Sequence, residues 1–477
     1  MIKSLLLSLV WYGTMLCAPT TKSFDATWRI SLIDNIDPTG NHPRTVLGVN
    51  GAWPPPVITI QKGYLLNLKV INNLPFPTSL HFHGLFQNKT NFMDGPSMIT
   101  QCPIPVNQEF LYSFTPKQTG TYWVHAHRNG QYVDGLRAPF VVIDNEEEKF
   151  YGYSEERTIS LSDWYHTMHD VLVKQYLNPN NPSGVEPLPD APLINDNQSK
   201  KLILSPGKVH RLRFVSMAAL ASFHVWIDGH NMTIIEIDGV NVTPFEVKGL
   251  IVAAAQRYSV LITAKSDSEF NYLLNAEFNL AMFDSVPEGY QPLATLEIEY
   301  KDSNKIYKAD RPPDFDWDYE LQVHPVEVLA AIKPDVTYIY NVDFGVREDG
   351  INHGTFNNKI FKFPKVPSLY SVLSMGPAAA TNESIYGETT PQILKHMDGV
   401  QIVINNFDGG SHPFHIHGHA FQVIEKKDTG VYHPNDLVIP NSNISNPIRR
   451  DTVVVSAGGY VVIRFVADNP GNGYIYY

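Results

Sequence analysis

Apolar residues along this chain come in short runs or in alternation, and rarely at the three-to-four spacing of a long amphipathic helix. Runs at 57–60, 65–71, 122–125, 140–143, 211–215, 233–237, 259–263, 293–298, 400–404, 452–455 and 460–466 lie between Pro, Gly and Asn turn residues. Each predicts a β-strand. Many short strands joined by such turns predict sandwiches or barrels.

At roughly 150 residues per domain, the 477-residue length suggests about three domains. A charged run at 145–149 follows a strand, and a new strand pattern opens near Arg157. Residues 301–318 are polar, carry Pro312 and Pro313, and read as a linker. The expected domains are therefore 19–147, 148–305 and 325–477. Segments 58–71 and 202–215 resemble each other loosely, with Gln-Lys-Gly and Ser-Pro-Gly each leading into a strand. Residues 1–18 read as a signal peptide: Lys3, an apolar run at 5–10, and small Ala18 at the cut. No other stretch is long enough to span a bilayer. The secretory pathway, ending outside the cell or at its surface, is the expected destination.

The formal net charge of -12 argues against nucleic acid or an anionic membrane as the main partner. Of two cysteines, Cys17 leaves with the signal, so Cys102 stands alone in an oxidising compartment. Asn-x-Ser/Thr sites at Asn88, Asn197, Asn231, Asn241, Asn382 and Asn443 are compatible with glycosylation.

The histidines carry the chemistry. Eight of the 18 fall in three short segments: His81-Phe-His83-Gly84, His125-Ala-His127 and His412-Pro-Phe-His415-Ile-His417-Gly-His419. About one His-x-His pair is expected by chance at this histidine frequency, so a lone pair would mean little. Here four pairs sit beside strand-like runs. Residues i and i+2 of a strand share a face, so each pair presents two imidazoles side by side. Imidazole suits copper, zinc, iron and nickel. No His-Glu-x-x-His helix or cysteine-rich zinc pattern occurs. Several such strands from distant parts of one chain suit a multinuclear metal site at a domain interface.

At these residues the chain resembles the multicopper oxidases. The matching motifs are the three histidine segments, Asn91-Phe-Met-Asp-Gly-Pro96 through Gln101-Cys-Pro, and Gly120-Thr-Tyr-Trp-Val-His-Ala-His127. The likeness implies an all-β fold of three cupredoxin-like Greek-key β-sandwich domains, with copper in type 1, type 2 and type 3 sites. By position, His81 and His415 match type 2 ligands, and His83, His125, His127 and His417 match type 3 ligands. His412 matches one type 1 ligand. His419 has no ligand role in the family. Asp94 matches an acid near the trinuclear copper site that could relay protons to reduced oxygen; read alone, it is a turn aspartate before Gly95. The implied activity is one-electron oxidation of a reductant coupled to four-electron reduction of dioxygen to water.

Iron(II) prefers oxygen and nitrogen donors, whereas a neutral phenol prefers an apolar slot. Three acids resemble those that hold iron in the fungal iron-transport oxidases. They are Glu186 in Val-Glu-Pro-Leu-Pro, Asp284 in Ala-Met-Phe-Asp, and Asp408 in Asn-Phe-Asp-Gly-Gly-Ser. The resemblance thus implies a ferroxidase of iron uptake, with Fe2+ and O2 as substrates and a membrane iron permease as partner. A laccase-like phenol oxidase is the alternative, since single loop acids are usually only solvated. His166 and His169 read as structural.

Relatives continue past Asp-Asn-Pro-Gly into a His-Cys-His-Ile-x-x-His motif. Here Asp468-Asn-Pro-Gly471 is followed by Asn-Gly-Tyr-Ile-Tyr-Tyr477. On the family pattern this omits the type 1 thiolate, and Cys102 lies in a different motif. The expectation is a third domain incomplete at its C-terminus, an incomplete type 1 site, and a chain that as given is inactive or a non-catalytic copper-binding remnant. Any C-terminal membrane anchor would lie outside the sequence. A blue thiolate–copper absorption from the 477-residue chain would contradict this expectation.

Overall fold

The computed structural model describes residues 22–476 apart from 41, 198–200, 267–268, 301–302, 304, 313–316, 441–442, 472 and 474. The expected signal segment and Cys17 lie outside the described residues. Strand Leu65–Asn72 shows the local logic: Leu66, Leu68, Val70 and Asn72 are buried while the residues between them are half-exposed. All the runs expected from the sequence overlap strands, and these pair into three all-β sandwiches.

In the first sandwich, Arg44–Val49, Ser23–Ile36, Leu65–Asn72 and Glu109–Phe114 form one sheet. Ile58–Gln61, Arg137–Ile143, Gly120–Ala126 and Leu80–His83 form the other. The second sandwich sets Ala191–Ile194, Glu155–Trp164, Val209–Ser216, Arg257–Thr263, Met232–Ile237 and Val240–Val247 beside a sheet of Lys201–Ile203, Leu293–Glu299, Tyr272–Phe278, Phe223–Ile227 and Leu250–Val252. The third has Asn352–Phe356, Val336–Val346, Gly399–Asn406, Tyr460–Val466, Phe421–Lys427 and Arg449–Arg450 in one sheet. Its other sheet holds Thr452–Val455, His412–Ile416 and Ile475–Tyr476.

The loose repeat has a structural counterpart. Ile58–Gln61 pairs parallel with Arg137–Ile143, and Leu65–Asn72 pairs parallel with Ser23–Ile36. In the second sandwich Lys201–Ile203 pairs parallel with Leu293–Glu299, and Val209–Ser216 with Glu155–Trp164. The same strand–turn–strand unit therefore crosses between sheets in both.

Gly120–Ala126 is buried at every position, where a one-sided strand would alternate. Its outer face meets the second sandwich. Thr121 N donates to Glu236 Oε1 at 2.6 Å, and Arg257 Nε donates to Thr121 O at 3.0 Å. The strand that ends in the second histidine pair is thus clamped at a boundary between sandwiches.

Candidate functional site

His81 and His83 close the short strand Leu80–His83, whose entry is fixed by Leu80 N donating to Tyr112 Oη at 2.9 Å. This strand runs antiparallel to Gly120–Ala126 with His81 opposite His125. The ring centroids of His81 and His83 are 5.7 Å apart and those of His125 and His127 are 5.6 Å apart, as expected for i, i+2 pairs on one face. The third sandwich brings His415 and His417, 5.0 Å apart, against them. His417 stacks on His81 at 3.9 Å and His415 on His83 at 3.6 Å. Six imidazoles from two sandwiches thus converge in one cluster, five of them buried and His127 half-buried.

The rings fit a metal role. Burial, with the neighbouring histidines, holds His83, His125 and His127 well below the ordinary imidazole range. It lowers His81, His415 and His417 as well. Neutral rings each keep one lone pair for a metal. His81 Nε2, His83 Nδ1 and His125 Nε2 are buried without a hydrogen-bond partner among the described residues. Candidate ligand atoms of His81, His83 and His125 all lie within 4.8 Å of one another, as do those of His81, His415 and His417. All-nitrogen donors in this arrangement suit copper, zinc, iron or nickel, and among these copper is the metal that the resemblance implies.

The opposite ring nitrogens are held by carboxylates and carbonyls, which fixes tautomer and orientation. His81 Nδ1 donates to the Asp94 carbonyl at 2.8 Å and lies 3.3 Å from its Oδ1. His417 Nδ1 donates to Asp94 Oδ2 at 2.8 Å. Burial alone would raise the Asp94 pKa, but the His417 and His81 rings hold it well below the carboxylate range. Gly95 makes this approach possible. At φ +101° a Cβ there would sit 1.7 Å from Leu80 O, so only glycine lets the Asp94 turn reach His81.

Asp451 was not visible in the sequence as a site residue. Its carbonyl accepts from His415 Nδ1 at 2.8 Å, and its Oδ1 lies 3.4 Å from both His83 Nε2 and His415 Nδ1. The available signal was charge out of place: Arg449-Arg450-Asp451 sits between apolar strand runs and is buried.

A second constellation surrounds His412. His412 Nε2 lies 2.9 Å from Asp408 Oδ2, and its ring stacks on Phe344 at 5.0 Å. Burial raises the Glu186 pKa, the charges of Asp284 and Asp408 add to the rise, and His412 opposes it. Tyr176 is pushed up to about 12 by burial and by Glu186, Asp408 and Asp284. Glu186 thus feels the charges of Asp284, Asp408 and His412 although the three acids come from separate loops, and of the three Asp408 touches His412 directly. His412 and His415 share the strand His412–Ile416, so this constellation and the histidine cluster are joined by one short segment.

The three other histidines weighed in the sequence bind protein groups. His169 Nδ1 lies 2.5 Å from Asp134, and His166 lies 3.1 Å from Asp190. His419 Nδ1 donates to His417 O at 3.3 Å. Cys102 is exposed in the first sandwich. A cavity of about 1250 Å3 adjoins the cluster, with His127, His417, Tyr176 and Asn352 on its wall.

Three family profiles, each described as multicopper oxidase, match residues 33–147, 155–303 and 361–476. The chain is 38% identical to the iron multicopper oxidase fer1 of Mycosarcoma maydis over 96% of this chain and 78% of that one. It is 41% identical to the iron transport multicopper oxidase fetC of Epichloe festucae over 95% and 73%. Its structure resembles that of Fet3p, described as a multicopper oxidase that functions in iron import. The TM-score is 0.90 at 35% identity, covering 95% of this chain and 87% of that one. A laccase from Botrytis aclada shares the fold, with a TM-score of 0.78 at 24% identity over 96% and 85%.

Proposed function

The chain belongs to the multicopper oxidase family, and we propose that it is an iron(II):oxygen oxidoreductase of iron uptake. The observation that carries this reading is the Asp408–His412 hydrogen bond at 2.9 Å, with Glu186 under the electrostatic influence of Asp284, Asp408 and His412. Carboxylate oxygens with an imidazole nitrogen suit iron(II) and would penalise a neutral phenol, whose ring needs apolar walls. The printed names of the relatives, iron multicopper oxidase and iron transport multicopper oxidase, point the same way.

Copper is the family's cofactor, and bound by the histidine cluster it supplies one-electron redox chemistry and the reduction of dioxygen to water. The rest is the protein's own. Glu186, Asp284 and Asp408 bind Fe2+ and orient it. Asp408 holds His412 by a direct hydrogen bond, so the acid that touches the iron also fixes the imidazole. His81, His83, His125, His127, His415 and His417 are the proposed metal ligands of the buried cluster, with His412 in the separate site. Asp94 locks His81 and His417, and its carboxylate is the nearest group placed to pass a proton into the cluster.

We place the protein in the secretory pathway, acting outside the cell or at its surface with an iron permease as partner. The apolar N-terminal segment and the Asn-x-Ser/Thr sites support this placement. The test of the activity is oxygen uptake by the copper-loaded protein with Fe2+ and with a phenol; uptake with neither substrate would overturn the oxidase reading in favour of a non-catalytic copper-binding protein. Glu186→Gln should raise KM for Fe2+ about tenfold, since loss of a hydrogen-bonded charge is worth roughly 1.5–3 kcal/mol. Phenol turnover with no effect of Glu186→Gln on iron would sink the reading in favour of a phenol oxidase.

A further inference from the structure

The loop that carries Glu186 has little regular structure of its own, yet it is tied down at three points. Asn181 Nδ2 donates to Tyr176 O at 3.1 Å and to Val185 O at 3.0 Å, while its Oδ1 accepts from Val185 N at 3.2 Å. One side chain thus closes the loop onto the end of helix His169–Tyr176. At the far end, Tyr290 Oη donates to Pro189 O at 2.6 Å, which joins this loop to the one bearing Asp284. The third tie comes from another sandwich. Asn352 Nδ2 donates to Pro182 O at 3.2 Å. Asn352 is 8% exposed and packs on Gly184, where a Cβ would sit 2.7 Å from its Nδ2.

Asn352 opens the strand Asn352–Phe356, which pairs with Val336–Val346 in a hairpin. The same hairpin supplies Phe344, whose ring stacks on His412. One rigid two-stranded element therefore touches the imidazole through Phe344 and the acid-bearing loop through Asn352. We infer that Asn352 is a positioning residue: by holding Pro182 across the boundary between the second and third sandwiches, it sets Glu186 relative to His412. The inference rests on the reading that the acids bind iron. Partners that orient metal-binding groups typically change affinity by about 10–100-fold when removed.

The test compares Asn352→Leu, which keeps bulk but loses the amide donor, with Glu186→Gln and with the double variant in the copper-loaded protein. Asn352→Leu is expected to raise KM for Fe2+ about tenfold with kcat within about twofold, and to lower the ratio of iron to organic-donor kcat/KM. The double variant should then lose less than the product of the single effects, because Glu186 is already displaced. Asn352→Gln, which retains an amide, should recover part of the loss. Hydrogen exchange across residues 177–190 should quicken in Asn352→Leu. If Glu186→Gln leaves iron KM unchanged, the iron reading itself fails. If Glu186→Gln raises KM but Asn352→Leu does not, or the two effects multiply independently, the positioning role is overturned while the iron reading stands. Should Asn352→Leu not fold, Gly184→Ala, which forces the same contact apart, replaces it with the same expected and opposing outcomes.

Discussion

Asp408 Oδ2 lies 2.9 Å from His412 Nε2, four residues along the chain, and this hydrogen bond is the main cause holding Asp408 below its ordinary pKa. Charge at the acid and orientation of the ring are thereby one property. Asp408→Asn keeps an oxygen that can accept the bond but removes the charge. KM for Fe2+ should rise about tenfold, a change of about 1.4 kcal/mol, with the His412 orientation retained. Asp408→Ala loses both, and should also lower kcat. Steady-state iron oxidation on the two variants separates the contributions. Equal kinetics for both would show that the hydrogen bond does nothing beyond the charge.

Glu186 should set the acid limb of iron binding. Burial raises its pKa, and the charge of Asp284 raises it further. An acid with a raised pKa stays protonated to higher pH, so iron affinity should fall as pH drops through a value above the ordinary glutamate range. The linkage sign follows: the folded state holds this proton more tightly than the unfolded chain does. Glu186 therefore costs stability above its folded pKa, and that cost fades as pH falls. Glu186→Gln should flatten the acid limb of the KM profile and raise the melting temperature more at pH 7 than at pH 5. A limb unchanged in Glu186→Gln would assign it to another group.

The histidine cluster was legible because its logic is local. An i, i+2 pair on a strand must share a face, and His81/His83 and His125/His127 do. The three acids were singled out only through resemblance, since no local pattern distinguishes Glu186 from a solvated loop acid. The long first strand, Ser23–Ile36, was not predicted at all. Its pairing with Arg44–Val49 shifts register between Ile33 and Ile36, and its exposed face breaks any continuous apolar run. Asp451 and Asn352 were also missed, because each acts across a boundary between sandwiches over a sequence separation of 170 residues or more. Sequence periodicity reports the face a residue takes within its own element. It does not report which distant element covers that face.

Asp94 should matter for metal retention before it matters for protons. It grips His81 and His417, one from each sandwich, and only Gly95 lets it approach. Asp94→Ala should lower copper affinity of the cluster about 10–100-fold, as loss of an outer partner of ligating histidines typically does. Gly95→Ala should do so too, through the clash with Leu80 O. Copper quantified after dialysis against a graded chelator is the measurement. Full copper content in Asp94→Ala with slowed oxygen reduction would instead assign Asp94 to proton delivery alone.

The last prediction concerns an ion pair that touches all three sandwiches. Arg257, from the second, donates through Nη1 to Asp451 Oδ1 at 2.7 Å and through Nη2 to Oδ2 at 2.6 Å. Asp451, from the third, reaches His83 of the first and His415 beside it. Both partners of the pair are fully buried. Burial would raise the Asp451 pKa, but the Arg257 guanidinium holds it well below the carboxylate range. Arg257→Met leaves that carboxylate buried and unpaired, so about 3–5 kcal/mol of stability should be lost at pH 7. The sign of the pH dependence is fixed by the depressed pKa: the pair stabilises above the unfolded aspartate value of about 3.9 and loses that contribution as pH falls further. The gap between wild type and Arg257→Met should therefore narrow below pH 4. A second change, Asp451→Leu in the Arg257→Met background, removes the stranded charge and should recover part of the stability. It should not recover copper binding at His83 and His415, because their oriented partner is gone. Thermal unfolding at two pH values, with copper content on the same samples, separates the two roles. If the double variant regains both, the pair is a fastening between sandwiches and has no part in orienting the histidines.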